Sequence, residues 1–280
     1  MVAVSLRRWG ARLSVALIGA GLVAPAVGSV ALAAPAVTAE RTRVLPWTGG
    51  DRLHVALNAD VRYVPGADNR VVVTGPGEEI DDVVVSHGAI YHYRVEQWWR
   101  WWDWEKWWRR EWNDDHRIRI VVTAPHLSAA GVSGSGDLDL GRLSQDRLDL
   151  GVSGSGRVSA SGAIRSLHAS VSGSGGVKLT ALSTADMAVG LSGSGWVAAS
   201  GAAHSLHLSI SGSGSADMRG LALDDVDAGL SGSGSATVAP KTSAVVWVSG
   251  SGSIRLLTEP AHLTTHRSGS GSVIHPNETH

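Results

Sequence analysis

The stretch ASGAIRSLHASVSGSG at Ala160–Gly175 returns 39 residues later, nearly unchanged, as ASGAAHSLHLSISGSG at Ala199–Gly214. Both copies end in Ser-Gly-Ser-Gly, and that tetrapeptide starts eight times, at Ser133, Ser153, Ser172, Ser192, Ser211, Ser231, Ser249 and Ser268. The spacings are 20, 19, 20, 19, 20, 18 and 19 residues, so two turns of alternating length make the 39-residue unit. Periods of this size mark a solenoid, propeller or array, in which each repeat buries its apolar face only against its neighbours.

The residues flanking each tetrapeptide say which kind. Counted from the first serine, positions −5, −3 and −1 are mostly apolar, as in Leu148, Leu150 and Val152 or Leu206, Leu208 and Ile210. Positions +5 and +7 are apolar too, as in Val177 and Leu179 or Ile254 and Leu256. Polar residues such as Asp149, His168, His207 and Lys178 stand between them. Period two is the pattern of a half-buried strand.

Glycine is a poor strand residue, having no side chain to pack and the most backbone entropy to lose. Its fixed place in every repeat reads as a corner, where paired glycines permit positive φ and a tight bend between two sheet faces. The corner glycines are Gly134 and Gly136, Gly154 and Gly156, Gly173 and Gly175, Gly193 and Gly195, Gly212 and Gly214, Gly232 and Gly234, Gly250 and Gly252, and Gly269 and Gly271. The prediction is an all-β chain folded as a parallel β-helix of 19–20-residue coils, each rising by ~4.8 Å. Right-handedness follows from analogy with long-coil β-helices.

Other solenoids fit poorly. No leucine-rich L-x-x-L-x-L-x-x-N pattern occurs, the 20/19 alternation breaks a hexapeptide rhythm, and the calcium-binding G-G-x-G-x-D nonapeptide is absent. In the last repeat position −1 is Arg267, as expected of an end coil with no neighbour to bury against.

The N-terminus reads as an export signal over residues 1–33. Arg7 and Arg8 precede an apolar core from Leu13 to Ala24, and Ala31-Leu32-Ala33 offers a small-residue cleavage site. Pro25 and Gly28 interrupt the apolar run, which disfavours an uncleaved anchor and leaves no transmembrane segment after cleavage. The route, general or twin-arginine, stays open. The expected location is periplasm, cell surface or extracellular space. With no cysteine, neither a lipoprotein anchor nor disulfides are expected. A net charge of −1 argues against a nucleic-acid partner. Only twelve residues follow Ser268, so no translocating barrel is expected there.

One domain is expected over residues 43–275, with irregular first coils at 43–125 and regular coils at 126–275. The irregular part holds the segment QWWRWWDWEKWWRREW, Gln97–Trp112, with Trp98, Trp99, Trp101, Trp102, Trp104, Trp107, Trp108 and Trp112. These are eight of the chain's twelve tryptophans, and on a helical wheel they fall on every side. They could stack on sugar rings, enter a lipid headgroup layer, anchor a protein partner, or fold back to shield the open end of the core.

The twelve histidines do not predict a metal site. His168 and His207 share a column two coils apart, ~10 Å, too far for one ion. His262 and His266 lie in a strand-like segment, and His275 and His280 in a tail. Asp137, Asp139 and Asp149, with Asp224, Asp225 and Asp227, are the carboxylates a carbohydrate-active β-helix would use, but they lack the accompanying basic residues of a cleaving groove. No nucleophile elbow and no phosphate loop occurs. No catalytic residue, metal or cofactor is therefore expected.

The opening LPWTGGDRLHVALNADVRYVPGADNRVVVTG, the bridging RIVVTAPHLSAAGVSGSGDLDL and the eight SGSG copies resemble the auto-transporter adhesin, head GIN domain family, over about Arg43–Ile274. The resemblance implies a right-handed β-helix with GSG turns, an extracytoplasmic location and a role in adhesion, without a catalytic constellation. The tryptophan-rich segment departs from the family pattern. The resulting expectation is a non-catalytic envelope protein that binds a glycan, an envelope polymer or a cell-surface protein; a trimer is suggested only by analogy with trimeric adhesins. The alternative is a polysaccharide-cleaving enzyme using Asp137, Asp139 or Asp149.

Overall fold

A computed structural model describes residues 40–93 and 117–276, all within the compact unit Thr38–His280. The expected export signal over residues 1–33, the segment Gln97–Trp112 and His280 lie outside the described residues. In chain order the elements are β1 (Glu40–Pro46), β2 (Arg52–Val55), β3 (Ala59–Pro65), β4 (Arg70–Pro76), α1 (Gly77–Ile80), β5 (Val83–Ser86), β6 (Ala89–His92) and β7 (Ile118–Ala124). The regular part follows as β8 (Ala129–Gly134), β9 (Asp137–Gly154), β10 (Arg157–Gly173), β11 (Gly176–Gly193), β12 (Trp196–Gly212) and β13 (Ser215–Gly232). It closes with β14 (Ser235–Val238), β15 (Pro240–Gly250), β16 (Ser253–Leu256), β17 (His262–Gly269) and β18 (Ser272–Ile274). Among the described residues no helix is long and apolar enough to cross a membrane.

The fold is a parallel β-solenoid of stacked coils. Alternation builds it: along β10 Val158, Ala160, Leu167, Ala169 and Val171 are buried, while His168 and Ser170 face out. Parallel pairing then sets like on like. Leu167 lies between Leu148 and Met187, and Val171 between Val152 and Leu191. The buried columns join into one core from Trp47 to Val273. Each fully buried Val, Leu or Ile contributes roughly 1.5–3 kcal/mol, so the core grows coil by coil without a disulfide.

The two glycines of each corner serve different needs. The first has positive φ in all eight copies, for example +106° at Gly193 and +117° at Gly212. The second does not, which corrects the expectation that both supply the bend by positive φ. Its constraint is space: a Cβ on Gly195 would lie 2.6 Å from both the Gly175 carbonyl oxygen and Val171 Cγ1. The corners stack through their carbonyls. Gly173 O accepts from Ser194 N at 2.9 Å, and Gly175 O accepts from Trp196 N at 3.0 Å.

A second bend explains the 20/19 rhythm. The register slips by one residue between Ser159 and Ser161, and again between Leu179 and Leu182. Two of the 20-residue turns hold a residue in the left-handed region there, Gly141 at φ +62° and Ala181 at φ +48°. The intervening 19-residue turns hold Gly162 and Gly201, where a Cβ would lie 2.1 Å from the carbonyl oxygen of Leu143 or Leu182.

At the N-terminal end the coils do not stack in chain order. β2 pairs in parallel with β6 on one side and β8 on the other, and β3 likewise with β7 and β9. The β2–β3 coil is thus sandwiched between two coils that follow it in sequence. Beyond the β6–β7 coil the chain runs backwards: β4 is antiparallel to β7, β5 is antiparallel to β6, and α1 joins them. β1 pairs antiparallel with β4 and forms the outer edge. This reversed turn closes the core with Ile80 and Val83, which are 1% and 0% exposed. Arg43 Nη1 ties β1 to it, donating to the carbonyls of Ile80, Asp81 and Val83 at 3.3, 3.0 and 3.2 Å.

Candidate functional site

The tryptophan-rich segment joins β6 to β7, and the registers of those strands locate its roots. Ile90 is level with Val55, and Ile118 with Ala59. In the β2–β3 coil only Ala56, Leu57 and Asn58 bridge these levels, and they form the corner on which Gly136 stacks. In the β6–β7 coil, residues 91–117 bridge the same levels. The described residues that flank the segment therefore stand at the two levels which, in the β2–β3 coil, border the corner on the glycine edge.

Arg117, the first described residue after the segment, is held by charge. Arg117 Nη1 donates to Asp60 Oδ1 at 3.3 Å and to Asp137 Oδ2 at 3.1 Å, bridging the next two coils. The hydrogen bond to Asp60, followed by the fields of both carboxylates, pushes the Arg117 pKa still higher. Asp137 also meets Arg157 at 3.5 Å, and Arg119 meets Glu40 at 3.5 Å. Along the outward row the order is Arg119, Asp60, Asp137, Arg157, two adjacent carboxylates flanked by an arginine at each end across four strands. Beside it lies a shallow depression of about 420 Å³ bordered by Arg62, Asp139 and Ser159.

The carboxylates singled out in the sequence are held in local pairs. Asp139 accepts from Ser159 Oγ and the Gly141 amide, both at 3.0 Å, and Asp149 pairs with Arg147 at 3.1 Å. Asp224 pairs with His204 at 2.9 Å, Asp227 with His207 at 3.3 Å, and Asp225 accepts from Ser243 Oγ at 2.6 Å. Asp137 and Asp139 share one face, whereas Asp149 lies on the strand before the next corner. His168 and His207 are separated in their column by Ala188. Among the described residues no group of three or more metal-ligating side chains converges. Sequence reasoning missed Arg117, whose signal is its place at the end of the segment, just before an alternating strand.

The family model described as "Putative auto-transporter adhesin, head GIN domain" matches residues 51–260. No curated protein matches the chain. Among solved structures, a "putative lipid binding protein" from Parabacteroides distasonis is 19% identical with a TM-score of 0.71, covering 84% of this chain and 96% of its own. A "putative adhesin" from Parabacteroides merdae is 18% identical, TM-score 0.71, covering 84% and 95%. Another from Bacteroides fragilis is 20% identical, TM-score 0.60, covering 85% and 97%. At these identities the likeness speaks for the fold.

Proposed function

The chain belongs to the auto-transporter adhesin, head GIN domain family, and from that premise we propose that it is an exported, non-catalytic binding protein of the cell envelope. Its contact surface is Trp98, Trp99, Trp101, Trp102, Trp104, Trp107, Trp108 and Trp112, and its partner is a glycan or other envelope polymer. One observation carries the reading. The core end nearest the segment is already closed by the β4–α1–β5 turn, so the tryptophans are not needed as its shield. Their roots stand instead at the corner edge, from which large aromatic surfaces can meet a partner. The pairing of Asp137, Asp139 and Asp149 with Arg and Ser neighbours supports a structural role for the carboxylates that a polysaccharide-cleaving enzyme would use.

The test is deletion of residues 97–112, read on glycan and lipid arrays and on whole cells. The deletion is expected to keep its strand circular dichroism and melting temperature and to lose binding at least tenfold. Unchanged binding, or loss of the fold with the segment, overturns the reading. Turnover of uronate polymers or peptidoglycan would favour the enzyme.

A further inference from the structure

Two surface tryptophans share a local setting and use it in opposite ways. Trp196 follows Gly176 in one outward column, and Trp247 follows Gly229 in another. Trp196 lays its indole back over its glycine, where a Cβ would lie 2.2 Å from the ring. Trp247 turns away from Gly229 and stacks on His266 of the last coil, with centroids 3.8 Å apart and planes inclined by 18°. Its side of the slot stays open: a Cβ on Gly229 would meet only Leu208 O, at 3.9 Å. Gly229 has no positive φ, so neither a turn nor a close approach requires glycine there.

His266 lies one coil beyond Trp247 in the same column, so the free indole face looks back along the solenoid axis across Gly229. The next side chain in that direction is Ser209, two coils from Trp247, or ~9.6 Å at the strand spacing. Asp227, paired with His207 at 3.3 Å, borders the slot on one side and Ser231 on the other. Trp247 is 51% exposed. A flat aromatic face bordered by a carboxylate and a hydroxyl suits a pyranose ring, whose C–H face packs on the indole while its hydroxyls bond to the rim.

We propose that this slot binds one pyranose residue of a glycan that crosses the solenoid along its strands. The site lies near the C-terminal end of the stack, whereas the tryptophan-rich segment springs from the other end, so either can fail alone. The experiment follows the Trp247 indole N–H resonance, assigned with Trp247→Phe, during titration with methyl β-glucoside, methyl β-N-acetylglucosaminide, cellohexaose and chitohexaose. At least one probe is expected to shift it saturably, and affinity, measured by isothermal titration calorimetry in every variant, is expected to fall at least tenfold in Trp247→Ala and in Gly229→Val. Trp196→Ala should bind as the parent does. A Cβ at position 229 meets no atom closer than 3.9 Å, so the melting temperature of Gly229→Val should stay near the parent's; should it unfold, Trp247→Ala alone decides. No response to any sugar, or full affinity in Trp247→Ala, overturns the proposal. A response to N-acetyl-tryptophanamide alone overturns it in favour of a protein partner.

Discussion

Gly193 and Gly195 stand two residues apart, and neither accepts a side chain, though only the first is also held by its backbone conformation. At Gly193, φ is +106° and a Cβ would press 2.8 Å from Gly173 O; at Gly195 the obstacle is contact alone. Gly193→Val is expected to cost at least about 2 kcal/mol, through left-handed strain joined to a backbone clash. Ser194→Ala should stay within about 0.5 kcal/mol, because its amide, which bonds Gly173 O, is untouched. Paired thermal melts measure both, and equal melting temperatures would contradict the corner geometry. That a corner exists is legible in the spacing of SGSG. The division of labour within it is not, because contact with the coil beneath belongs to residues about 20 positions away.

Consecutive coils are also joined by side chains that stack in columns. His204 on β12 meets Asp224 on β13 at 2.9 Å, and that hydrogen bond is the main cause of a raised His204 pKa. The pair's contribution is fully present below the ordinary histidine value of 6.5 and is lost as pH rises through the raised folded value. His204 is solvent-exposed, so the effect on stability is small, and the direct measurement is its imidazole titration by NMR. Asp224→Asn should bring the midpoint down; an unchanged midpoint would remove Asp224 as the cause. The strands themselves are readable from period two, as Val158, Ala160 and Leu167 illustrate. The origin of the alternating 20 and 19 is not. It lies in Gly141 and Ala181, whose left-handed backbone has no consistent residue signature, since one of the two is alanine.

At the scale of the molecule the SGSG period fixes the regular stack from β8 to β18, because every coil finds its register on the one before. The described positions before Ala129 carry no such ruler. There the chain lays β2–β3, reverses through β4, α1 and β5, and returns as β6–β7 outside the coil it started from. Parallel pairing is non-local, so alternation identifies "RLHVALNADVRYV" as strands without saying which neighbour each one takes. The placement of the tryptophan-rich segment, and with it the binding proposal, depends on this order. Arg62 and Asp139 are outward neighbours on β3 and β9, whereas Val121 on β7 is one strand further away, beyond Arg62. The chain has no native cysteine, so engineered pairs report adjacency directly. Cysteines at 62 and 139 are predicted to form a disulfide under mild oxidation, while cysteines at 121 and 139 stay reduced. Ready cross-linking of 121 to 139 with none between 62 and 139 would mean that the coils stack in chain order, and would contradict the account.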